Sequence, residues 1–552
     1  VNDVNLRYLD LLSKVYAKDT DYLVSLSELE EVLCTSRRNT SIIMKKLSSF
    51  EWIDWKPSVG RGKLSLFKIK ISLQQAIVEF LILELTQGRT KPISKLLDWF
   101  GQTAVRALNI ASEAVSLVNE SNNSVLISSY PWVSKIDPVK TFRHTELHIS
   151  KSVYDVLLRQ DSHGEICAGL AHSWEVEGKT VKLWLRPDIY RHDGELLELE
   201  DVVWSLSRLM ELSGPVQAIW RCVDHVKAEK PNIVTITLKY ANPFFTYMLT
   251  TPHASILSRK IKCFETGFSY YLGTGPFKIS DWSKERLILK VHKEYFSTRA
   301  LLDQIILSHG DLQTQNMLSF NEKVQTENAE KISALSYLTY RKRANSGIST
   351  RDWHELANYI SFKKRQFDPE NSVDSVRLVK GQEVSKSIVV PQLMGTIVLA
   401  EPMWTIPSLA RYSKWLHDVI VATGLQLEIV RVNDVSSPES ASEFADIFFI
   451  EDVIEAPFSY GVFEWLSTST GLRFAYTNKM HNEHCEEIKA AIECHEPHKK
   501  LLDLEQKLRT NYTYLPLFVG SENVFKTTRV KGVQVKSTGY SDLHLLWVDS
   551  HS

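Results

Sequence analysis

The side chains that could do chemistry fall into three groups. The first is the segment HNEHCEEIKAAIECHEPH over 481–498, where His481, His484, Cys485, Cys494, His495 and His498 are the ligand types that hold zinc. Its middle, EEIKAAIE, has helical composition, so Cys485 and Cys494 are expected ~13 Å apart at the 1.5 Å rise of a helix, too far to share one tetrahedral site. The segment is expected to be a polar helix, and no metal is assigned. The second is His354-Glu355-Leu356-Ala357-Asn358, which departs from the zinc-protease pattern at its last position, since the Asn358 amide cannot replace an imidazole. The third is the pair of glycine-rich runs. Gly60-Arg61-Gly62-Lys63 lacks the glycine spacing of a phosphate loop and precedes a strand pattern, and Gly273-Thr274-Gly275 also precedes a strand, which predicts a tight turn. No nucleophile elbow or dinucleotide fingerprint is present. The expectation is a protein with no catalytic residues and no cofactor, one that binds.

Charge shows what could be bound at one end. Residues 1–34 carry three basic and seven acidic side chains, whereas 35–70 carry nine basic and two acidic. The cationic half begins with Ser36, Arg37, Arg38, Asn39, Ser41 and Lys45, and ends with Arg61 and Lys63. Two cations and an amide in succession at a helix start can offer donors to base edges in a major groove, while cations at a hairpin tip suit phosphate or the minor groove.

The elements that would carry them read as a winged helix over 1–72. Leu6, Leu9, Leu12 and Val15 recur at helical spacing; Ser27 is the expected N-cap of a second helix with Leu29, Val32 and Leu33 inward. Thr35 is the expected cap of a third helix, with Ile43, Leu47 and Phe50 as its buried stripe. Strands over 52–56 and 64–70 flank the Gly-Arg-Gly-Lys tip. Helix order, wing and charge asymmetry together point to double-stranded DNA as a partner.

Residues 73–118 have helical periodicity throughout, with a break near Gly101, and form a connector. Its apolar faces could cover the winged helix, the next domain or a second copy, so a homodimer stays open. The net charge of −1 excludes a uniformly basic protein, and 43% hydrophobic with 24% charged residues excludes disordered and disulfide-scaffold classes. Six scattered cysteines suit a reducing compartment. The first residues have no basic segment followed by an apolar run, and the most apolar stretch, IVEFLILEL, is interrupted by Glu79 and Glu84. A cytoplasmic protein without membrane attachment is expected.

From 119 to 552 the pattern is α/β. Over 173–210, Val181, Leu183 and Leu185 alternate as one face of a strand, then Val202, Val203, Leu206, Leu209 and Met210 take helical spacing with Asp201, Ser205 and Arg208 expected to face away. The motifs Leu185-Arg186-Pro187, His192-Asp193-Gly194 and Glu200-Asp201-Val202-Val203, with GTGPFKISDW and KEYFSTRALLDQIIL in order after them, resemble solute-binding proteins of the dipeptide/oligopeptide class. That resemblance implies two lobes with a ligand between them; a strand-helix-strand pattern places the second lobe at about 391–515, and the closing strands return to the first. Residues 320–390 have no readable pattern.

Candidate ligand residues are Glu451 and Asp452, at the carboxyl end of a strand where open α/β sheets bind ligands, and the aromatic residues Tyr130, Trp132, Trp220 and Trp404 near expected lobe edges. Peptide-binding members of the class hold the peptide amine with an aspartate in this region, and the register of EDVIEAP sets Asp452 or Val453 there.

A winged helix joined to such a domain, with CTSRRNTSIIMKKL, GRGK and LRPDIYRHDGELLELEDVV in this order, resembles the SgrR family of bacterial transcriptional regulators. The resemblance implies a DNA-binding regulator that senses a small metabolite, with a sugar phosphate as the leading effector and RNA polymerase as a further partner. The fold class expected is multidomain, α+β and α/β: a winged helix-turn-helix, a helical connector and a two-lobed periplasmic-binding-protein-like domain. The alternative is the peptide-binding component of an ABC-type transporter.

Overall fold

The computed structural model describes residues 3–549 apart from 59–63, 87–90, 121–122, 142, 162, 215, 311, 313, 320–329, 379–388, 404–406, 434, 436, 439 and 535–541. The chain divides into two compact units, Val1–Asn122 and Asn123–Ser552.

The first unit runs α1 (Asp3–Ser13), β1 (Tyr22–Val24), α2 (Leu26–Leu33), α3 (Arg37–Ser49), β2 (Ile53–Lys56), β3 (Ser65–Ile69), α4 (Leu73–Thr86) and α5 (Lys91–Glu120). α1 buries Leu6, Leu9 and Leu12, but Val15 falls beyond its end and is exposed. The cap of α2 is Ser25, not Ser27. The Ser25 hydroxyl accepts from the Glu28 amide at 3.2 Å, and the Glu28 carboxylate accepts from the Ser25 amide at 2.7 Å, so both orphan donors are satisfied. Cys34 closes α2 in the left-handed region, φ 49°, and Ser36 begins α3. Thr35, expected as that cap, instead accepts from the Asn39 amide at 2.9 Å. The buried stripe of α3 is Thr40, Ile43, Met44 and Leu47; Phe50 lies past the last turn and is half-buried.

β3 is the central strand of a three-stranded antiparallel sheet in the order β1-β3-β2, with Tyr22 opposite Phe67 and Trp55 opposite the same residue from the other side. β1 has only three residues and escaped the alternation pattern. The connector helices pack on this assembly: α4 lies against α1 and α5, and the Trp52 indole donates to Glu79 of α4 at 3.1 Å. α5 breaks at Gly101 (φ 48°, ψ −122°), where the sequence shows its turn.

The second unit is organised around a ten-stranded sheet. Five strands form one side: Phe277–Trp282, Arg286–Val291, Gln304–Ser308, Ser124–Ser128 and Met317–Ser319. Four form the other: Glu330–Tyr340, Ile447–Asp452, Thr396–Pro402 and Gln426–Val432. The 13-residue strand Tyr514–Lys526 joins the two, because its end pairs with Leu318 and Ser319 while the rest pairs with Glu330–Tyr340. These are the two lobes, and this long strand pairs with both. Each lobe has its own buried cluster, Val125–Phe277–Leu289–Ile305 in the first and Ile397–Leu416–Phe449–Leu517 in the second. The stretch over 320–390 that showed no pattern contains the strand Glu330–Tyr340 and the helix Thr350–Phe367, both belonging to the second lobe.

A smaller antiparallel sheet of four strands, Ala171–Glu177, Thr180–Leu185, Ile233–Leu238 and Val223–Glu229, extends the first lobe. Val181, Leu183 and Leu185 are buried as their alternation requires. The helix Leu199–Glu211 departs from expectation, since Asp201, Ser205 and Arg208 are buried too. Each is bonded across the helix edge: Arg208 donates to Asp137 at 2.6 Å, Asp201 accepts from the Arg259 guanidinium at 2.8 Å through Oδ1, and Ser205 accepts from the Leu257 amide at 2.9 Å. Polar type therefore marked a second packed face, where the helix is pinned to the loops on either side of it. Gly273 and Gly275 are likewise not turn residues. A Cβ at either would meet the backbone of Val153 at 2.1 to 2.5 Å, so they allow two segments to touch.

Candidate DNA interface and ligand cavity

In the first unit, α3 presents one face to its own core and the opposite face outward. At 100° per residue Arg38, Ile42, Lys45 and Ser49 line up opposite Thr40, Ile43, Met44 and Leu47. Arg37, Arg38, Lys45 and Lys46 are exposed, and α3 contains no acidic residue. Ser36 is exposed at the start of the helix and Ser41 is half-buried on its flank. Asn39 is half-buried and bonded to Thr35, so its amide braces the turn between α2 and α3. Three lysines elsewhere in the unit are committed: Lys14 pairs with Asp10 at 2.8 Å, Lys68 with Asp21 at 3.5 Å and Lys70 with Asp54 at 3.6 Å. Among the described residues the four cations of α3 have no carboxylate partner. Arg61 and Lys63 lie outside the described residues.

In the second unit, a cavity of about 890 Å³ opens between the lobes. Its first-lobe wall is one face of the helix His144–Val153, with His144, Leu147, His148 and Lys151, followed by Asp155, Arg159 and the Thr250–His253 turn. Its second-lobe wall follows the strand Ile447–Asp452 and the helix Phe458–Thr468, with Asp452, Glu455, Tyr460, Glu464 and Thr468. The two walls meet beside the cavity through stacked rings, Phe244 on Phe463 at 4.9 Å and Tyr247 on Tyr460 at 5.6 Å.

The charged groups of the cavity are arranged in sets. Arg159 binds both carboxylate oxygens of Asp155, and the Tyr295 hydroxyl donates to the same carboxylate at 2.7 Å. That guanidinium is spent on its neighbours. Across the cavity, burial and then the charge of Glu455 push the Glu464 carboxyl up to about 8, against the pull of the Tyr460 hydrogen bond and Lys151. Burial likewise pushes Asp452 up to about 6, although Tyr337 and Ser469 donate to it. Burial, then Lys151, lowers His144 to about 4, so this imidazole is neutral near pH 7. A cavity lined by a protonated carboxyl, a neutral imidazole and one lysine can offer both donors and acceptors to a polar solute.

Of the six residues expected at the ligand, Asp452 lines the cavity. Glu451 is not among its lining residues, because alternation along the strand sends neighbouring side chains to opposite faces. Tyr130 is buried behind the cavity: its hydroxyl donates to the Thr145 carbonyl at 2.9 Å and lies 2.9 Å from Nδ1 of His148, which does line the cavity. Trp132 packs on Phe268 and His309, and Trp220 is a core residue packed edge-on against Phe245. Neither tryptophan lines the cavity, since each ring is held by apolar or aromatic neighbours within the first lobe. Trp404 lies outside the described residues. As ligand candidates His144, His148 and Lys151 were missed, although they share one face of the helix His144–Val153 at i, i+4 and i+7. Among the described residues no group of three His, Cys, Asp or Glu side chains is placed to hold a metal ion, and no helix is long and apolar enough to cross a membrane. Cys485 lies 3.7 Å from His481 on the helix Asn478–Ile492, and His354 stacks on Tyr512.

Residues 5–118 match the family described as "Sugar transport-related sRNA regulator N-term", and 165–377 match "Bacterial extracellular solute-binding proteins, family 5 Middle". The HTH-type transcriptional regulator SgrR of Salmonella choleraesuis is 28% identical over 289 residues, 51% of this chain and 50% of that protein, so over this match the chain spans about half the length of the relative. The protein of the same name from Yersinia pestis is 22% identical over 548 residues, 95% of each chain. A dipeptide-binding protein from Pseudoalteromonas sp. SM9913, solved with Met-Leu, superposes with a TM-score of 0.62 at 13% identity, covering 77% of this chain and all of that one. That likeness is one of fold. With the two matched segments in this order and a relative aligned along nearly all of its length, the chain is similar to the SgrR regulators from end to end.

Proposed function

We propose that this protein is a cytoplasmic, non-catalytic, DNA-binding transcriptional regulator whose affinity for its operator responds to a small metabolite held between the lobes. The observation that carries the reading is the outward face of α3: four exposed cations with no carboxylate partner among the described residues, on the second helix of a helix-turn-helix, while lysines elsewhere in the unit are paired. Phosphate neutralisation supplies most of the affinity of such a face, and Arg38 and Lys45 flank its centre, toward the edges of a major groove. Arg37 and Ser36 at the helix start hold the backbone, and Arg61 and Lys63 act from the wing. Relatives named HTH-type transcriptional regulators support the same reading.

The effector site is the cavity. Its mixed lining suits a compact polar metabolite, and a sugar phosphate is the first candidate, with Lys151 and the His144 imidazole as its donors. A ligand that touches both walls favours the closed arrangement of the lobes, and only such differential affinity can shift the conformational equilibrium. The peptide-carrier alternative has one supporting observation, the cavity in a fold shared with a dipeptide-binding protein, and it leaves the α3 face without a use.

The test is duplex binding by the full chain to the DNA upstream of its own gene, titrated in salt. Replacing Arg37 and Arg38 by Ala is expected to weaken binding and to reduce the slope of log K against log salt by about 1.8, since each lost phosphate contact removes about 0.9. An unchanged affinity and slope would remove α3 from the interface.

A further inference from the structure

One residue on the outward face of α3 does not fit a surface built to hold phosphates. Ile42 is 55% exposed. It stands one turn after Arg38 and one turn before Lys45, at the centre of a face otherwise made of cations and serines, opposite the buried stripe. A solitary exposed apolar side chain is ordinary on a protein surface and asks for no explanation by itself. This one occupies the place in the helix that a groove would enclose most fully. A β-branched residue there has lower helix propensity than Ala or Lys and presents apolar surface to water. It can contribute nothing to phosphate binding.

The major groove exposes one strongly apolar group, the C5 methyl of thymine, and aliphatic side chains pack against it. Arg38 and Lys45, with Ile42 between them, are seven helical rises apart, about 10 Å along the axis, roughly three base-pair steps of 3.4 Å. A helix seated with Arg38 and Lys45 toward the groove edges holds Ile42 against the base edges between them.

We propose that Ile42 is a specificity-determining residue, packing on a thymine methyl group in the major groove while Arg38 and Lys45 engage the DNA on either side. The proposal rests on the DNA-binding reading and adds to it what that reading leaves open, one letter of the operator. An exchange of Ile42 for Ala alters a solvent-facing position, so the fold of the unit is unaffected.

The experiment uses the full chain. Duplexes bound with highest affinity are selected from a random library, and each dT of the selected site is replaced singly by dU, which differs only in the missing methyl. At one position the exchange is expected to weaken wild-type binding about 4-fold, the worth of one buried methyl group. Ile42→Ala is expected to bind the parent site about as weakly as wild type binds the dU site, to lose nothing further on the exchange, and to keep the wild-type salt slope. Ile42→Val should retain methyl sensitivity. The proposal is overturned if every dT tolerates dU, or if Ile42→Ala keeps the full methyl effect. In both of those cases salt-sensitive binding persists and the DNA-binding reading stands. Absence of any salt-sensitive duplex binding would overturn the reading together with the proposal.

Discussion

Glu464 carries the pH dependence expected of the ligand cavity. Its carboxyl is pushed up to about 8 by burial and by Glu455, whereas in the unfolded chain it titrates near the ordinary glutamate value of about 4.3. Between those two values the unfolded chain loses this proton while the folded one keeps it. Stability from this group is therefore fully present below about 4.3 and is lost as pH rises through about 8. Asp452, pushed up to about 6 by burial, acts with the same sign over a narrower window. Replacing Glu464 by Gln keeps a neutral side chain of similar shape. The variant is expected to match wild type in Tm near pH 4.5 and to exceed it above pH 8, and thermal melts across that range check this. Equal Tm differences at both ends would mean that Glu464 is ionised throughout.

At the scale of elements, the strand Glu330–Tyr340 ties the link between the lobes to the cavity. Its Tyr337 hydroxyl donates to the Asp452 carboxylate and lies 2.6 Å from Oγ of Ser469. Gly471 leaves room for the ring, since a Cβ there would meet it at 2.5 Å. Asp452, which lines the cavity, is thus held by a side chain of a strand paired with the one that joins the lobes. Tyr337→Phe leaves a buried carboxylate short of a donor, so it is expected to lower stability by about 1 to 3 kcal/mol in chemical denaturation and to raise the Asp452 titration further.

These elements also show what could be read in advance. The winged helix was legible because its signals are local: helical spacing of Leu6, Leu9 and Leu12, a hairpin around the Gly-Arg-Gly-Lys run, and charge that changes sign at residue 35. The caps were displaced by one or two residues, because Ser25, Ser27, Thr35 and Ser36 are chemically equivalent and only the Ser25–Glu28 reciprocity separates them. The cavity was less legible. Its walls come from residues some 300 positions apart, and periodicity cannot bring Lys151 opposite Glu464. Aromatic residues misled for the same reason: a tryptophan at an element's end has the same sequence appearance whether it faces a cavity or, like Trp220, the core.

In the whole molecule a DNA-binding unit is joined to a unit with a solute-sized cavity between its lobes. Linkage demands that a solute which changes duplex affinity be bound more or less tightly by the DNA complex in the same ratio. The measurement that tests this most directly takes the full chain, a panel of sugar phosphates and short peptides, and a duplex from its own upstream region. Compounds that raise the Tm of the chain are identified first, and the duplex Kd is then measured with and without each. At least one such compound is predicted to change the Kd about 5- to 150-fold, the usual span of allosteric coupling. A compound that binds and stabilises the chain while leaving duplex affinity and its salt slope unchanged would contradict the account.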